Sequence, residues 1–285
     1  MNDDVIMTKI IGVTGGKGGT GKSTVATALA VELAKGYKVL LVDMDTGCPN
    51  DHLLLNIKRN FVRNIFQRIP KWDFNKCTKC GLCGKLCETN AIVSIKDKGP
   101  VFIPSQCNGC GTCVIACPSK AISWERKDIG KVYEGHGFDL DFLSGELKIN
   151  EPIAEFIVGD VKNELDKIKD EYDFIIIDTA AGTHCDVISS LMICDTAIAV
   201  SEPTPLGIHD MELIIDLLSR LKIPFNIVIN RYEKTNETII EKVIGRYKKR
   251  IIATIPYSKD IMEAYSKGVP ITHHSIKDIA RRIVK

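Results

Sequence analysis

The chain has 285 residues, 45% of them hydrophobic, and its 38 basic and 36 acidic side chains leave a net charge of +2. That length can bury one large core and a smaller one, while the near-neutral balance gives no reason to expect nucleic-acid binding by bulk electrostatics. No apolar run reaches the length of a signal-peptide core or a membrane span, and the 11 cysteines, an odd number, suit a reducing compartment, so a cytoplasmic location without a stable membrane anchor is expected.

In chain order, Lys9 to Val13 reads as a buried strand that runs into a glycine-rich turn, then a helix from about Lys22 to Lys35, then a second apolar strand from Lys38 to Asp43. Further strands are expected at Phe174 to Asp178, Thr196 to Val200, Phe225 to Asn230 and Ile251 to Ile255. Short continuous apolar runs alternating with helical stretches predict an α/β fold, a mostly parallel sheet with helices on both faces. Helices over roughly 206–221, 235–248 and 259–267 carry ordinary amphipathic stripes, read as core. Between Lys71 and Glu125 the texture changes, with fewer periodic apolar residues and more Gly, Cys and Pro. Two half-repeats, Cys77 to Ile95 and Cys107 to Trp124, end in the similar phrases Asn90-Ala-Ile-Val and Lys120-Ala-Ile-Ser. Residues 126–150 read as turns and short strands leading back. The expected organisation is a discontinuous large domain, 1–70 and 126–285, interrupted by a small α+β insert at 71–125.

Gly16, Lys17, Gly18, Gly19, Thr20, Gly21, Lys22, Ser23 and Thr24 match G-x4-G-K-[ST] between a strand and a helix. The glycines let backbone N–H groups turn inward around the phosphates of ATP, Lys22 reaches the terminal phosphates, and Ser23 is placed to ligate Mg²⁺. The second lysine, Lys17, makes the loop resemble the deviant Walker A signature of the MinD/ParA family; the plain alternative is a solvated loop lysine. The resemblance implies a P-loop NTPase fold and a homodimer with ATP sandwiched between subunits, Lys17 reaching the partner's nucleotide. Asp43 and Asp45, at the end of the second strand, look like that family's switch I, with Asp45 polarising the attacking water. Asp178 and Gly182 look like switch II, the first holding Mg²⁺ through water and the second sensing the γ-phosphate. Asn230 with Arg231 resembles the adenine-reading position, and Pro256 the last base-contacting loop. The activity implied is ATP hydrolysis, with Lys17, Lys22 and Asp45 catalytic, and slow without a partner.

Eight cysteines fall in two runs, Cys77-x2-Cys80-x2-Cys83-x3-Cys87 and Cys107-x2-Cys110-x2-Cys113-x3-Cys117-Pro118. C-x2-C is also zinc spacing, but the tandem pattern resembles a bacterial ferredoxin with two [4Fe–4S] clusters. By that resemblance Cys77, Cys80, Cys83 and Cys117 hold one cluster, and Cys107, Cys110, Cys113 and Cys87 the other. Glu88 replaces the proline that follows the fourth cysteine in the pattern. Of the remaining thiols, Cys185 follows switch II at the offset of a bridging cysteine in the nitrogenase iron protein, Cys48 follows switch I, and Cys194 reads as core.

The combination points to an ATPase that couples nucleotide state to electron transfer or metallocentre maturation in a protein partner. Two alternatives stand beside it. One is an iron–sulfur scaffold or carrier resembling the Mrp-type ATPases, although no C-x-x-C follows Cys117. The other is a MinD-type positioning ATPase, whose cue is the amphipathic segment Ser275 to Lys285; its plain reading is a final helix packed on the sheet.

Overall fold

The computed structural model describes residues 7–95, 97–233 and 246–285. In order, the elements are β1 (Lys9–Thr14), α1 (Lys22–Ala34), β2 (Val39–Met44), α2 (Asp51–Leu54), β3 (Asn60–Trp72), α3 (Leu82–Lys85), β4 (Ile92–Val93) and β5 (Val101–Phe102). There follow α4 (Thr112–Ile115), β6 (Ile122–Gly137), β7 (Leu140–Leu147), α5 (Glu155–Ile168), β8 (Phe174–Thr179), α6 (Cys185–Leu191) and β9 (Thr196–Ser201). The last are α7 (Pro205–Arg220), β10 (Phe225–Tyr232), β11 (Ile251–Pro256), α8 (Lys259–Lys267) and α9 (His274–Val284). Most of the helix expected over 235–248 lies outside the described residues.

Two compact units divide the chain. One comprises the residues up to Val62, Val132–Glu146 and Val158–Lys285; the other comprises Arg63–Lys131 and Leu147–Ile157. In the first, the strands run β11-β10-β9-β1-β8-β2-β7, and each neighbouring pair is parallel. Central strands of such a sheet are covered on both faces, which is why β2 and β8 are buried at every position. The register sets Asp43 opposite Asp178 at the carboxyl ends of β2 and β8, next to the turn that leaves β1. Ligands of open α/β sheets bind outside those ends.

Helix α1 is buried nearly all round, and Ala26, Ala28 and Ala30 let it lie close to the sheet. The stripe of α9, Ile276, Ile279, Ala280 and Ile283, belongs to the same core as Val25 and Leu29 of α1. Ser275 Oγ ties its start to the Thr254 carbonyl at 2.7 Å. The amphipathic terminal segment is therefore a packed helix. Among the described residues no helix is long and apolar enough to cross a membrane.

Residues 126–150 depart from the turns and short strands expected of them. Strand β6 runs on to Gly137 and turns into β7 through Phe138 and Asp139, at φ 56° and 59°, a two-residue connection with both residues left-handed. The long β3 was likewise not anticipated: its alternation of buried Ile65, Gln67 and Ile69 is masked by the polar member.

The second unit is a repeat with a 30-residue offset: Cys77, Cys80, Cys83 and Cys87 map onto Cys107, Cys110, Cys113 and Cys117, and α3 onto α4. The backbone repeats with the sequence. Lys79, Gly81 and Asn90 have φ of 57°, 75° and 56°, and their mates Gly109, Gly111 and Lys120 have 71°, 82° and 49°. Ile103 N donates to the Ala91 carbonyl at 2.7 Å, and Asp73 N, its mate, to the Ala121 carbonyl at 2.8 Å. Trp72 and Phe102, also mates, pack with ring centroids 5.2 Å apart.

Candidate functional site

The turn after β1 owes its shape to glycine. Gly19 and Gly21 have φ of 84° and 91°, a region that side chains rarely tolerate. A Cβ on Gly21 would stand 2.1 Å from Asn230 Nδ2, and one on Gly16 2.2 Å from the Asp210 carbonyl oxygen. The loop thus packs too closely for any other residue at those points. Gly21 caps α1, so the first free N–H groups of that helix face the loop, a natural anion site. Lys22, at the first turn, is only 6% exposed.

A cavity of about 730 Å³ opens over this turn. Gly18, Gly19, Gly21, Lys22, Ser23 and Thr24 line one side, Asp45, Cys48, Asn50 and Ala181 another, and Asn230, Arg231, Pro256, Tyr257, Met262 and Tyr265 the far end. Sequence positions 18 to 266 therefore converge on one space, and Asp45, Asn230, Arg231 and Pro256 are among the residues that line it. Asn230 Nδ2 donates to the Thr20 carbonyl at 2.9 Å, tying the end of β10 to the P-loop. Gly182, at φ 94°, donates its N–H to the Gly15 carbonyl at 3.1 Å, tying the turn after β8 to the same loop. Of the signature residues, Lys17 reaches Glu202, with Nζ 2.8 Å from Oε1.

Beneath the cavity lie three buried carboxylates, Asp43, Asp51 and Asp178, with an oxygen from each within 4.8 Å of the others. Asp43 accepts N–H groups from Asp45 at 3.1 Å, Asn50 at 2.9 Å and Asp51 at 3.1 Å, and so folds the 45–51 loop back on itself. Both Asp51 oxygens and Asp178 Oδ1 are buried without a hydrogen-bond partner. Burial first, then mutual repulsion, pushes the Asp43 and Asp51 carboxyls well above the usual range. Burial pushes Asp178 up to about 7, against the opposing pull of Ser23 and Lys22. Asp45 is also raised by burial, with Lys22 pulling it back. Carboxylates with orphaned oxygens beside a P-loop serine form a hard oxygen-donor set of the kind that suits Mg²⁺. Asp51 was not singled out from the sequence. Its signal, an Asp eight residues after Asp43, acquires meaning only when the loop returns.

In the second unit Cys77, Cys80, Cys83 and Cys117 line one cavity together with Trp72, Gly81 and Ser94. Cys87 and Cys107 share a small apolar cluster with Ile69, Ala91 and Phe102. Burial, then the neighbouring Cys107 and Cys110, pushes the Cys113 thiol up to about 11. Cys107 is raised by burial and by Cys110 and Cys87, against the Gly109 N–H that donates to its sulfur at 3.4 Å. The fourth thiol of each run thus meets the first of the other run. All eight are free.

Cys185 is exposed at the start of α6 and Cys48 is exposed at the cavity. Cys194 is buried, its Sγ donating to the Ser190 carbonyl at 3.4 Å, in keeping with a core role.

The profile of the CobQ/CobB/MinD/ParA nucleotide binding domain matches residues 11–271. An uncharacterised protein of Methanocaldococcus jannaschii is 35% identical over 282 residues, 96% of this chain and 97% of that one. The septum site-determining protein MinD of Neisseria meningitidis serogroup B is 24% identical over 98% of this chain and 92% of its own length. The solved MinD of Pyrococcus horikoshii, complexed with Mg-ADP, has the same fold, with a TM-score of 0.61 at 21% identity over 98% of this chain and 97% of that one.

Proposed function

Because the chain belongs to the CobQ/CobB/MinD/ParA nucleotide-binding domain family, we propose that its first unit is a Mg-ATP-dependent ATPase that works as a homodimer. We propose further that nucleotide state there governs two [4Fe–4S] clusters in the second unit, for electron transfer or metallocentre maturation in a protein partner.

For the nucleotide, the convergence of P-loop, Asp45, Asn230 and Pro256 on one cavity supports the reading, as does the Mg-ADP in the similar Pyrococcus horikoshii structure. Gly16 to Thr24 would hold the phosphates, with Lys22 neutralising the terminal ones. Ser23 would ligate Mg²⁺, and Asp43, Asp51 and Asp178 would hold its water shell. Asp45 would orient the attacking water, and Asn230, Arg231 and Pro256 the base. Phosphoryl transfer to water asks little more of a protein than positioning and charge neutralisation.

For the clusters, the observation that carries the reading is the 30-residue repeat, which sets four thiols around one cavity and brings the fourth cysteine of each run to the first of the other. Eight thiols in two sets of four fit the soft donors that such clusters need, and bound clusters supply one-electron transfer. Anaerobic purification followed by iron, acid-labile sulfide and zinc analysis tests this. About eight iron and eight sulfide per chain are expected for two [4Fe–4S] clusters; zinc without sulfide would remove the reading. A redox titration with and without Mg-ATP then tests the coupling. An unshifted potential, with no ATP-dependent transfer to any acceptor, would leave an uncoupled cluster protein. Cluster loss to an apo-acceptor would favour the scaffold or carrier alternative.

A second reading, a positioning ATPase, is favoured by relatives that carry the name MinD. The packed face of α9 weighs against its use as an anchor. Sedimentation with anionic liposomes with and without ATP separates the two.

A further inference from the structure

Glu202 directly follows β9, and its carboxylate gathers two cations, one from the loop after β1 and one from the end of β10. Lys17 Nζ donates to Oε1 at 2.8 Å, and Arg231 Nη1 to Oε2 at 3.4 Å. Thr204 Oγ1 adds a hydrogen bond to Oε1 at 3.3 Å. The Glu202 side chain is 13% exposed and that of Lys17 31%, so the pair is partly shielded from water. The backbone is fixed as well: Thr204 N donates to the Glu202 carbonyl at 2.8 Å, and Gly207 lies so close that a Cβ there would sit 2.5 Å from that oxygen. Burial alone would raise the Glu202 carboxyl; Lys17, then Arg231, override it and hold it below the usual range. The carboxylate is therefore an ionised, pre-positioned counter-ion.

The loop of Lys17 is the P-loop, and Arg231 lines the cavity. We propose that Glu202 is a positioning residue that parks Lys17 within a single chain, and that Lys17 leaves it for the phosphates of a second copy when two nucleotide-loaded chains pair. The inference rests on the dimer reading above. One ion pair is exchanged for another, so the strength of the parked pair is subtracted from the strength of the dimer, and Glu202 sets the nucleotide and protein concentrations at which pairing occurs. Glu202→Gln keeps the shape and an oxygen acceptor while removing the charge.

The test is sedimentation of the full chain with Mg²⁺ and a non-hydrolysable ATP analogue. E202Q is expected to dimerise at a two- to five-fold lower concentration than wild type, roughly the range open to a partly exposed pair, with the gain shrinking at high salt. In a Lys17→Ala background the same substitution is expected to add nothing. A second readout is local: in the nucleotide-free chain, acylation of Lys17 followed by mass spectrometry is expected to run faster in E202Q, which a merely structural role would not produce. A wild type that dimerises with the analogue while E202Q dimerises no better overturns the parking role alone. A wild type that stays monomeric with the analogue overturns the dimer reading and the parking role with it. Slower or unchanged Lys17 acylation in a folded E202Q also overturns the parking role.

Discussion

In the first unit the chemistry-bearing side chains hang from the ends of a parallel sheet whose core is aliphatic, whereas in the second the cysteines are themselves part of a very small core. Ile11, Val13, Leu41 and Ile176 would hold the sheet together with the cavity empty. Two small clusters of the second unit join Ile69, Ala91, Ile92 and Ile122 with Cys107 and Cys113, and partly buried Trp72, Phe102, Val114, Cys83, Cys87 and Cys117 pack around them. Cores of that size bury less apolar area than the sheet does, so anything the thiols bind would add proportionally more to their stability. The first unit provides a site because it is folded; in the second, if the thiols hold a cluster or metal as proposed, binding and folding reinforce each other.

The widest break in that comparison should come from stripping whatever the thiols bind. Treatment with a strong chelator, or a Cys83→Ser and Cys113→Ser double substitution, is expected to open residues 63–131 to limited proteolysis. Nucleotide binding by the first unit, measured after Mg²⁺ is restored, should persist. Loss of both together would refute the independence of the two units. Next in size is Gly21→Ala. With φ at 91° and Asn230 at 2.1 Å from the new methyl, it should cost about 1–3 kcal/mol in denaturant unfolding and abolish nucleotide binding. It should leave the iron content unchanged.

Asp51→Asn probes the carboxylates beneath the cavity. A buried Asp whose folded pKa exceeds its unfolded value of about 3.9 binds its proton more tightly when folded, so stability falls as pH rises between the two. With Asp178 raised to about 7 and Asp43 and Asp51 also raised, the nucleotide-free wild type should lose thermal stability as pH rises from about 4 to about 7. Asp51→Asn should flatten that slope, read as Tm against pH, while weakening Mg²⁺-dependent nucleotide binding on the order of tenfold. A steep slope retained in the variant would show that Asp51 carries none of the effect.

The smallest expected effect tests the symmetry within the second unit. A Cβ on Gly111 would stand 2.8 Å from the Trp124 ring, but one on Gly81, its mate, would have 3.6 Å to Ser94 Cβ. Both positions share the left-handed backbone, so the strain common to them cancels. Gly111→Ala should therefore be less stable than Gly81→Ala by roughly 1 kcal/mol, measured by urea unfolding of the loaded protein. Equal costs would mean that Trp124 yields.

Several elements were legible because their determinants are local. The runs in β1, β2, β8, β9 and β10 are continuous because both faces of a parallel sheet are buried. The P-loop was legible because its glycines answer to backbone geometry within a few residues. Strands β3 and β6 were not: exposed charges at Glu125 and Arg126, and a buried Gln67 whose Nε2 donates to the Cys107 carbonyl at 2.7 Å, break the apolar alternation. The partner that makes Gln67 acceptable inside is 40 residues away.

By itself the sequence determined the parallel α/β fold, the phosphate-binding turn and the grouping of eight cysteines into two runs, since each is encoded in spacing that the backbone reads locally. Tertiary structure decided what lies between distant segments. It turned Asp51 into a third buried carboxylate, paired Lys17 with Glu202, and set the buried Gln67 against the Cys107 carbonyl. Those outcomes depend on desolvation and charge, which exist only once the chain has closed around them.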